Sequence, residues 1–412
     1  MKLHKTYFLI IIAIIFSCSS NDSEFVPVEE DPISDNPVED SNSILNLPVT
    51  AFNYSNINFP SSFNSFVMDV LDNTPSDNLT TDAGATLGRV LFYDKNMSVN
   101  NTIACASCHI QSEGFSDNRT LSEGFESGFT GRNSMGLANS RFYESGLFFW
   151  DHRAATLEDQ VLMPIQDAVE MGMTLEDLVT KLSALEYYPD LFTDAFGSTE
   201  VTSDKISKAL AQFVRSMVSF ETKYDEGLAQ AGNMFVNFPN FTAEENLGKS
   251  IFNGSFRTEP GGNCAVCHMN NDGDPINPGM NLRNQALFMM VSSPRNNGID
   301  PDGNVEDTGI GGVNNATLAI GAFKAPSLRN IELTAPYMHD GRLETLEDVV
   351  EHYSTGVLDH PQLSSPALVN NDGTPFHLNL SVAEKSALVA FLKTLTDDNF
   401  ITDEKYSDPF NN

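Results

Sequence analysis

Two pentapeptides constrain this chain more than anything else in it: "CASCH" (Cys105, Cys108, His109) and "CAVCH" (Cys264, Cys267, His268). Each is a C-x-x-C-H, which reads as covalent attachment of a c-type haem. Two thiols add to the two vinyl groups, and the adjoining histidine is placed to ligate the iron from one face. Three other readings compete. A four-cysteine zinc site draws on two C-x-x-C pairs but needs no histidine after both. A redox dithiol sits in a thioredoxin-like pattern, which is absent. Disulfides form in exported proteins, but a two-residue spacing is strained for a structural bridge. The chain has 5 cysteines, and once Cys18 is set aside none is left over.

The two motifs lie in a repeat. "LGRVLF" (87–92) precedes the first and "LGKSIF" (247–252) precedes the second at nearly the same distance. Thr242 and Glu245 form a capping box that starts the second of these helices. "SDKISKALAQFVRSMVSF" (203–220) is amphipathic, and "SVAEKSALVAFLKTL" (381–395) opens on a second box, Ser381 with Glu384. No series of alternating strands is apparent. The expected fold is mainly α, with two cytochrome c-like haem domains in tandem. The expected boundaries are 76–235 for the first, 236–400 for the second and 401–412 for a tail.

The N-terminus carries two lysines and then the apolar run "YFLIIIAIIFSC", ending at Cys18. The run is shorter than the roughly 20 residues of a spanning helix, so it reads as an export signal over 1–18. The "IFSC" ending resembles a bacterial lipoprotein signal, in which Cys18 is lipidated; a plain cleaved signal is the alternative. Residues 19–75 are a flexible tether and lead-in, because Ser19 to about Asn46 is too polar to bury a core. The expected location is the cell envelope of a Gram-negative bacterium, on the periplasmic side or the cell surface, with membrane contact through the lipid alone. With 412 residues and 41% hydrophobic content the chain is globular. The net charge of -33 argues against nucleic acid and anionic lipid surfaces as partners, and suits a basic protein.

Several separated motifs resemble the bacterial diheme cytochrome c peroxidases and their relative MauG: "VLFYDKNMSVNNTIACASCH", "GRNSMGLANSRFY", "FFWDHRAATLEDQVLMPIQDAVEMG", "FKAPSLRNIELTAPYMHDGR" and "EHYSTG". The resemblance spans about 76–398. It implies an N-terminal peroxidatic haem, a C-terminal electron-transfer haem, and a calcium ion between them. His109 and His268 match the proximal ligands, and Trp150 matches the tryptophan between the haems. Gln160 and Glu170 match polar residues of the peroxidatic pocket, with Glu170 as the acid–base residue acting on hydrogen peroxide. Asn133, Thr334 and Pro336 match the calcium ligands, the last two through backbone oxygens. A homodimer is common among such relatives.

Two departures stand out. Where many of these peroxidases place a histidine that blocks the first iron at rest, this chain has Phe125, so the first haem is expected to be open without reductive activation. The usual W-D-G-R reads "WDHR" here, so His152 is a haem ligand, a propionate partner or a surface residue, with the last two favoured. Farther along, "TLEDVVEHYSTG" (345–356) reads as a helix capped by Thr345 and Asp348 and ended by Gly356. Leu346, Val349, Val350 and Tyr353 fall on one buried face, with His352 off it and exposed. Tyr353 occupies the position of the second haem's distal ligand, which is methionine in the peroxidases and tyrosine in MauG. A phenolate favours ferric iron and lowers the potential. Met338 and His339 then lie near the haem edge.

The resulting expectation is an exported diheme enzyme that reduces hydrogen peroxide with electrons from a small cytochrome or other redox protein. MauG-like oxidation of residues on a partner protein is the first alternative, and a non-catalytic diheme electron carrier is the second.

Overall fold

The computed structural model describes residues 44–60, 63, 69, 71–143, 145–254, 262, 264–268, 294–301, 306–364 and 367–411. Cys18, the export signal and most of the tether lie outside them. Among the described residues the regular elements are helices, joined by long irregular segments and isolated β-bridges. No helix among them is long and apolar enough to cross a membrane.

The sequence repeat is a structural repeat. In the first half, the Asp82–Tyr93 helix crosses the Ser203–Ser216 helix. Gly88 makes that crossing close: a Cβ there would lie 2.0 Å from the Ala209 carbonyl oxygen. In the second half, the Ala243–Asn253 helix crosses the Val382–Lys393 helix, and a Cβ on Gly248 would lie 1.8 Å from the Ala387 carbonyl oxygen. Any side chain at either glycine would push two backbones apart. The expected capping boxes at Thr242 and Ser381 are both present.

Each helix pair has its own apolar core. The first contains Leu87, Leu91, Phe92, Leu210 and Phe213. The second contains Phe252, Leu346, Val350, Ala387 and Phe391. Chain ends close on the first: Phe400 and Tyr406 belong to its core, as does Tyr54 from the lead-in. The Tyr406 hydroxyl donates to the Ser216 carbonyl at 2.6 Å, and the Tyr54 hydroxyl to that of Lys405 at 2.6 Å. The halves are joined by Asp397, whose Oδ2 accepts from Ser219 Oγ and from the Phe220 and Glu221 amides at 2.9–3.0 Å. A buried Arg329–Asp225 fork ties Arg329 to the Lys223–Ala231 helix, whose Tyr224 and Leu228 belong to the second core. Breaking such a buried pair by removing one partner costs about 3–5 kcal/mol.

The helix that begins at Leu346 has the expected Thr345–Asp348 box. It is α-helical only to Glu351, and a π-turn covers His352–Gly356. The extra residue in that turn breaks the 3.6-residue period on which the exposure of His352 was expected. His352 is instead buried, at 7% exposure, and its Nε2 donates to the Asn297 carbonyl at 3.0 Å. That expectation is corrected: periodicity holds for Leu346 and Val350 and fails at the π-turn.

Candidate haem centres

The first C-x-x-C-H forms a single 3₁₀ turn, Cys105–Ser107, closed by the His109 amide donating to the Cys105 carbonyl at 3.0 Å. His109 Nδ1 donates to the Phe115 carbonyl at 2.9 Å, and Ser134 Oγ lies 3.3 Å from it. This fixes the tautomer and leaves Nε2 as the free ligand atom. Burial lowers the imidazole's pKa, so the ring is neutral and ready to bind a metal. A cavity of about 1020 Å³ opens beside Cys108 and His109.

The second motif is a short helix, Ala265–His268, with the His268 amide donating to the Cys264 carbonyl at 3.1 Å. His268 Nδ1 is buried and makes no hydrogen bond among the described residues. Burial pushes this imidazole down to about 4. Its cavity has a mostly apolar wall that includes Phe252, Leu346, Val350, Leu388 and Leu392.

These features decide among the readings of the cysteines. None of the four described cysteines is in a disulfide. The two motifs line different cavities, which excludes a shared four-cysteine site. Burial pushes Cys105 and Cys264 up to about 12 and Cys108 up to about 11, which keeps them neutral thiols and not reactive thiolates. A cavity next to each motif, about 1020 Å³ at the first and about 200 Å³ at the second, with one neutral histidine on its wall, fits a covalently held haem.

Gln160 and Glu170 also line the first cavity. Gln160 ends the Leu157–Gln160 helix, whose Thr156 cap accepts from the Asp159 amide at 3.0 Å. Glu158 of the same helix is clamped by Arg215 at 2.5 and 2.9 Å. Glu170 sits in a loop wound around Asp167, whose Oδ1 accepts from the Val169 and Glu170 amides at 2.8 and 3.1 Å. Burial, and secondarily the Asp167 charge, push the Glu170 carboxyl up to about 7; Arg153 opposes them. A carboxyl that titrates near neutrality can both take and give a proton.

Phe125 does not line this cavity among the described residues. Its amide donates to the Glu170 carbonyl at 3.1 Å, and its ring lies over Gly172, so close that a Cβ there would be 2.5 Å from it. The other histidine on the cavity wall, His339, is stacked on Phe323 at 3.8 Å between centroids.

Trp150 lines both cavities. Its Nε1 donates to the Asn133 carbonyl at 2.9 Å, and its own carbonyl accepts from the Lys324 amide at 2.8 Å. A third cavity of about 50 Å³ touches Trp150, and Asn133, Thr334 and Pro336 all lie on its wall. Asn133 Nδ2 donates to the Arg119 and Thr120 carbonyls at 3.1 and 3.2 Å, which leaves Oδ1 as the amide's open acceptor. The three expected calcium ligands are therefore gathered at one small oxygen-bearing site.

Tyr353 lies on the wall of the second cavity together with His268 and Met338. Asn297 Nδ2 lies 3.3 Å from Met338 Sδ and 3.5 Å from the Tyr353 hydroxyl. Burial raises the Tyr353 phenol well above its ordinary range. The chain from His352 to the Asn297 carbonyl, and from the Asn297 amide to Tyr353, was not visible in the sequence. Lys324 was also missed, although it stands in the motif "FKAPSLRN". It is 6% exposed on the wall of both cavities, and burial pushes its ammonium down to about 7. His152 is half-buried and bonded to Tyr143 at 2.7 Å.

Residues 82–233 match the family described as di-haem cytochrome c peroxidase. The chain is 32% identical over 324 residues to the methylamine utilization protein MauG of Methylophilus methylotrophus, covering 78% of this chain and 84% of that one. It is 33% identical over 316 residues to a cytochrome c551 peroxidase of Nitrosomonas europaea, covering 76% and 80%. A solved MauG-like protein associated with microbial copper homeostasis superposes with a TM-score of 0.69 at 32% identity, covering 86% of this chain and 99% of that one. The repeated helix crossings, the histidine on each cavity wall and these similarities agree: the chain belongs to the di-haem cytochrome c peroxidase and MauG family of oxidoreductases.

Proposed function

We propose that this protein is a diheme c-type peroxidase that reduces hydrogen peroxide to water, with electrons from a small cytochrome or other redox protein. Glu170 carries the reading, because it is a carboxyl on the wall of the cavity that His109 also lines, and it is poised near neutrality. When bound, the haems supply the irons at which peroxide is held and electrons are exchanged. Glu170 takes a proton from the nearer peroxide oxygen and returns it to the farther one, and Gln160 orients the substrate by hydrogen bonding. Trp150, common to both cavities, carries electrons between them.

The first haem needs no reductive activation in this reading, since Phe125 replaces a blocking histidine and packs on Gly172. His109 and His268 would each hold one haem iron, and Tyr353 would supply a further ligand to the second. Asn133, Thr334 and Pro336 hold one calcium ion beside Trp150. Cys18 carries the lipid that tethers an exported protein to the cell envelope.

The position of Tyr353 favours one further reading, MauG-like oxidation of residues on a partner protein, because an anionic oxygen ligand makes the second haem a poorer acceptor from ordinary cytochromes. The test is peroxide consumption by the holoprotein with reduced cytochrome c, beside a protein substrate alone. Turnover that needs the cytochrome and is lost in Glu170→Gln supports the peroxidase. Turnover that survives in Glu170→Gln contradicts the acid–base assignment, and covalent change in a protein substrate without cytochrome favours the second reading.

A further inference from the structure

Tyr143 is fully buried, and its hydroxyl lies 2.7 Å from His152 Nε2. The two rings meet edge to face, 5.6 Å between centroids. His152 stands two residues after Trp150. Its backbone is left-handed, with φ of 58°, a conformation that favours glycine and costs other residues about 1 kcal/mol. A bulky imidazole held there against its backbone preference, with its ring nitrogen on one phenol, calls for a reason.

The surroundings suit electron and proton movement. The Tyr143 ring packs against Phe148, which lines the first cavity, at 6.4 Å between centroids. Lys324 Nζ lies 4.1 Å above the Tyr143 ring, while its backbone is bonded to Trp150. Tyr143 therefore sits one side chain behind the wall of the peroxidatic cavity, linked to Trp150 by both His152 and Lys324. Burial, and secondarily Lys324, push His152 down to about 4, so its imidazole is a neutral base at neutral pH. Burial raises the Tyr143 phenol, which stays protonated.

We propose that Tyr143 is a redox-active residue, which gives one electron toward Trp150 while its phenolic proton passes to His152 Nε2. The step balances: the O–H bond breaks, an N–H bond forms on the imidazole, and a neutral tyrosyl radical faces an imidazolium. The oxidant is hydrogen peroxide, whose reduction to two waters takes two electrons and two protons; when no external donor is bound, Tyr143 supplies one electron, the bound haems supply the other, and both protons come from solvent. The radical holds one oxidising equivalent outside the peroxidatic cavity. The loss of a proton to a base 2.7 Å away is what brings a buried phenol within reach of such an oxidant.

The inference rests on the peroxidase reading, so its test uses two oxidants. Ferric holoprotein, with tyrosine ring-deuterated or unlabelled, is mixed with hydrogen peroxide without a donor, freeze-quenched and examined by electron paramagnetic resonance while peroxide loss is followed. A parallel sample receives an outer-sphere one-electron oxidant, hexachloroiridate. The expected result is a tyrosyl signal that narrows with the label and is absent in Tyr143→Phe. In His152→Gly, with retained folding checked by the haem spectrum, the signal should form about 100-fold more slowly. Peroxide loss with a signal unchanged in Tyr143→Phe overturns the proposal and leaves the peroxidase intact. No peroxide loss even when reduced cytochrome c is added contradicts the peroxidase, and the iridate arm then decides: a signal absent there, or indifferent to both substitutions, overturns the proposal.

Discussion

Glu170→Gln should stabilise the folded protein at alkaline pH while it abolishes turnover. Burial favours the neutral carboxyl, so folding raises the Glu170 pKa from 4.5 to about 7. The folded state then binds more protons than the unfolded state between those values, and stability falls as pH rises through that window. Stability is full below about 4.5, and the loss is complete once pH passes about 7. At about 1.4 kcal/mol per pKa unit, the charged carboxylate costs about 3 kcal/mol. Glutamine keeps the shape and carries no proton to lose. Urea unfolding of the ferric holoprotein should therefore give equal stabilities near pH 4.5 and a variant more stable by about 3 kcal/mol at pH 8. Peroxide turnover should drop about 100- to 10,000-fold. Equal stabilities at both pH values would refute the claim that the cavity holds this carboxyl near neutrality.

Gly88→Ala sets a methyl group against the Ala209 carbonyl and should cost about 3 kcal/mol, read as a lowered unfolding temperature; Gly248→Ala should do the same in the second half. Tyr353→Met should raise the potential of the second haem in a spectroelectrochemical titration, and an unchanged potential would remove Tyr353 as a ligand. His352→Ala leaves the Asn297 carbonyl without its donor and should cost about 2 kcal/mol by chemical unfolding, with a change in the low-spin haem spectrum as Asn297 releases Tyr353.

What could be read from the sequence was whatever depends on short-range chemistry. The C-x-x-C-H pairs declare their cofactor because thiols and ligand must be adjacent. The repeated "LGRVLF" and "LGKSIF" mark the helices whose Gly88 and Gly248 permit the two crossings. Capping boxes at Thr242, Thr345 and Ser381 formed where hydroxyl and carboxylate stand three residues apart. His352 was misread because a π-turn changes the residue period, and nothing in "EHYSTG" by itself announces that turn. Lys324 and the Tyr143–His152 pair depend on contacts between distant segments. Their burial and partners exist only once Trp150, Phe148 and the 323–330 strip have been brought together. The return of Tyr406 to the first core is non-local in the same way.

The central claim is a division of labour: His109 would hold an iron left open to peroxide in the cavity that Glu170 also lines, and His268 and Tyr353 would together hold the second. The spin-state spectrum of the ferric resting holoprotein tests it most directly. One high-spin and one low-spin haem, with the low-spin signal altered in Tyr353→Met and the high-spin signal unchanged, is the predicted result. Two low-spin haems at rest would contradict it.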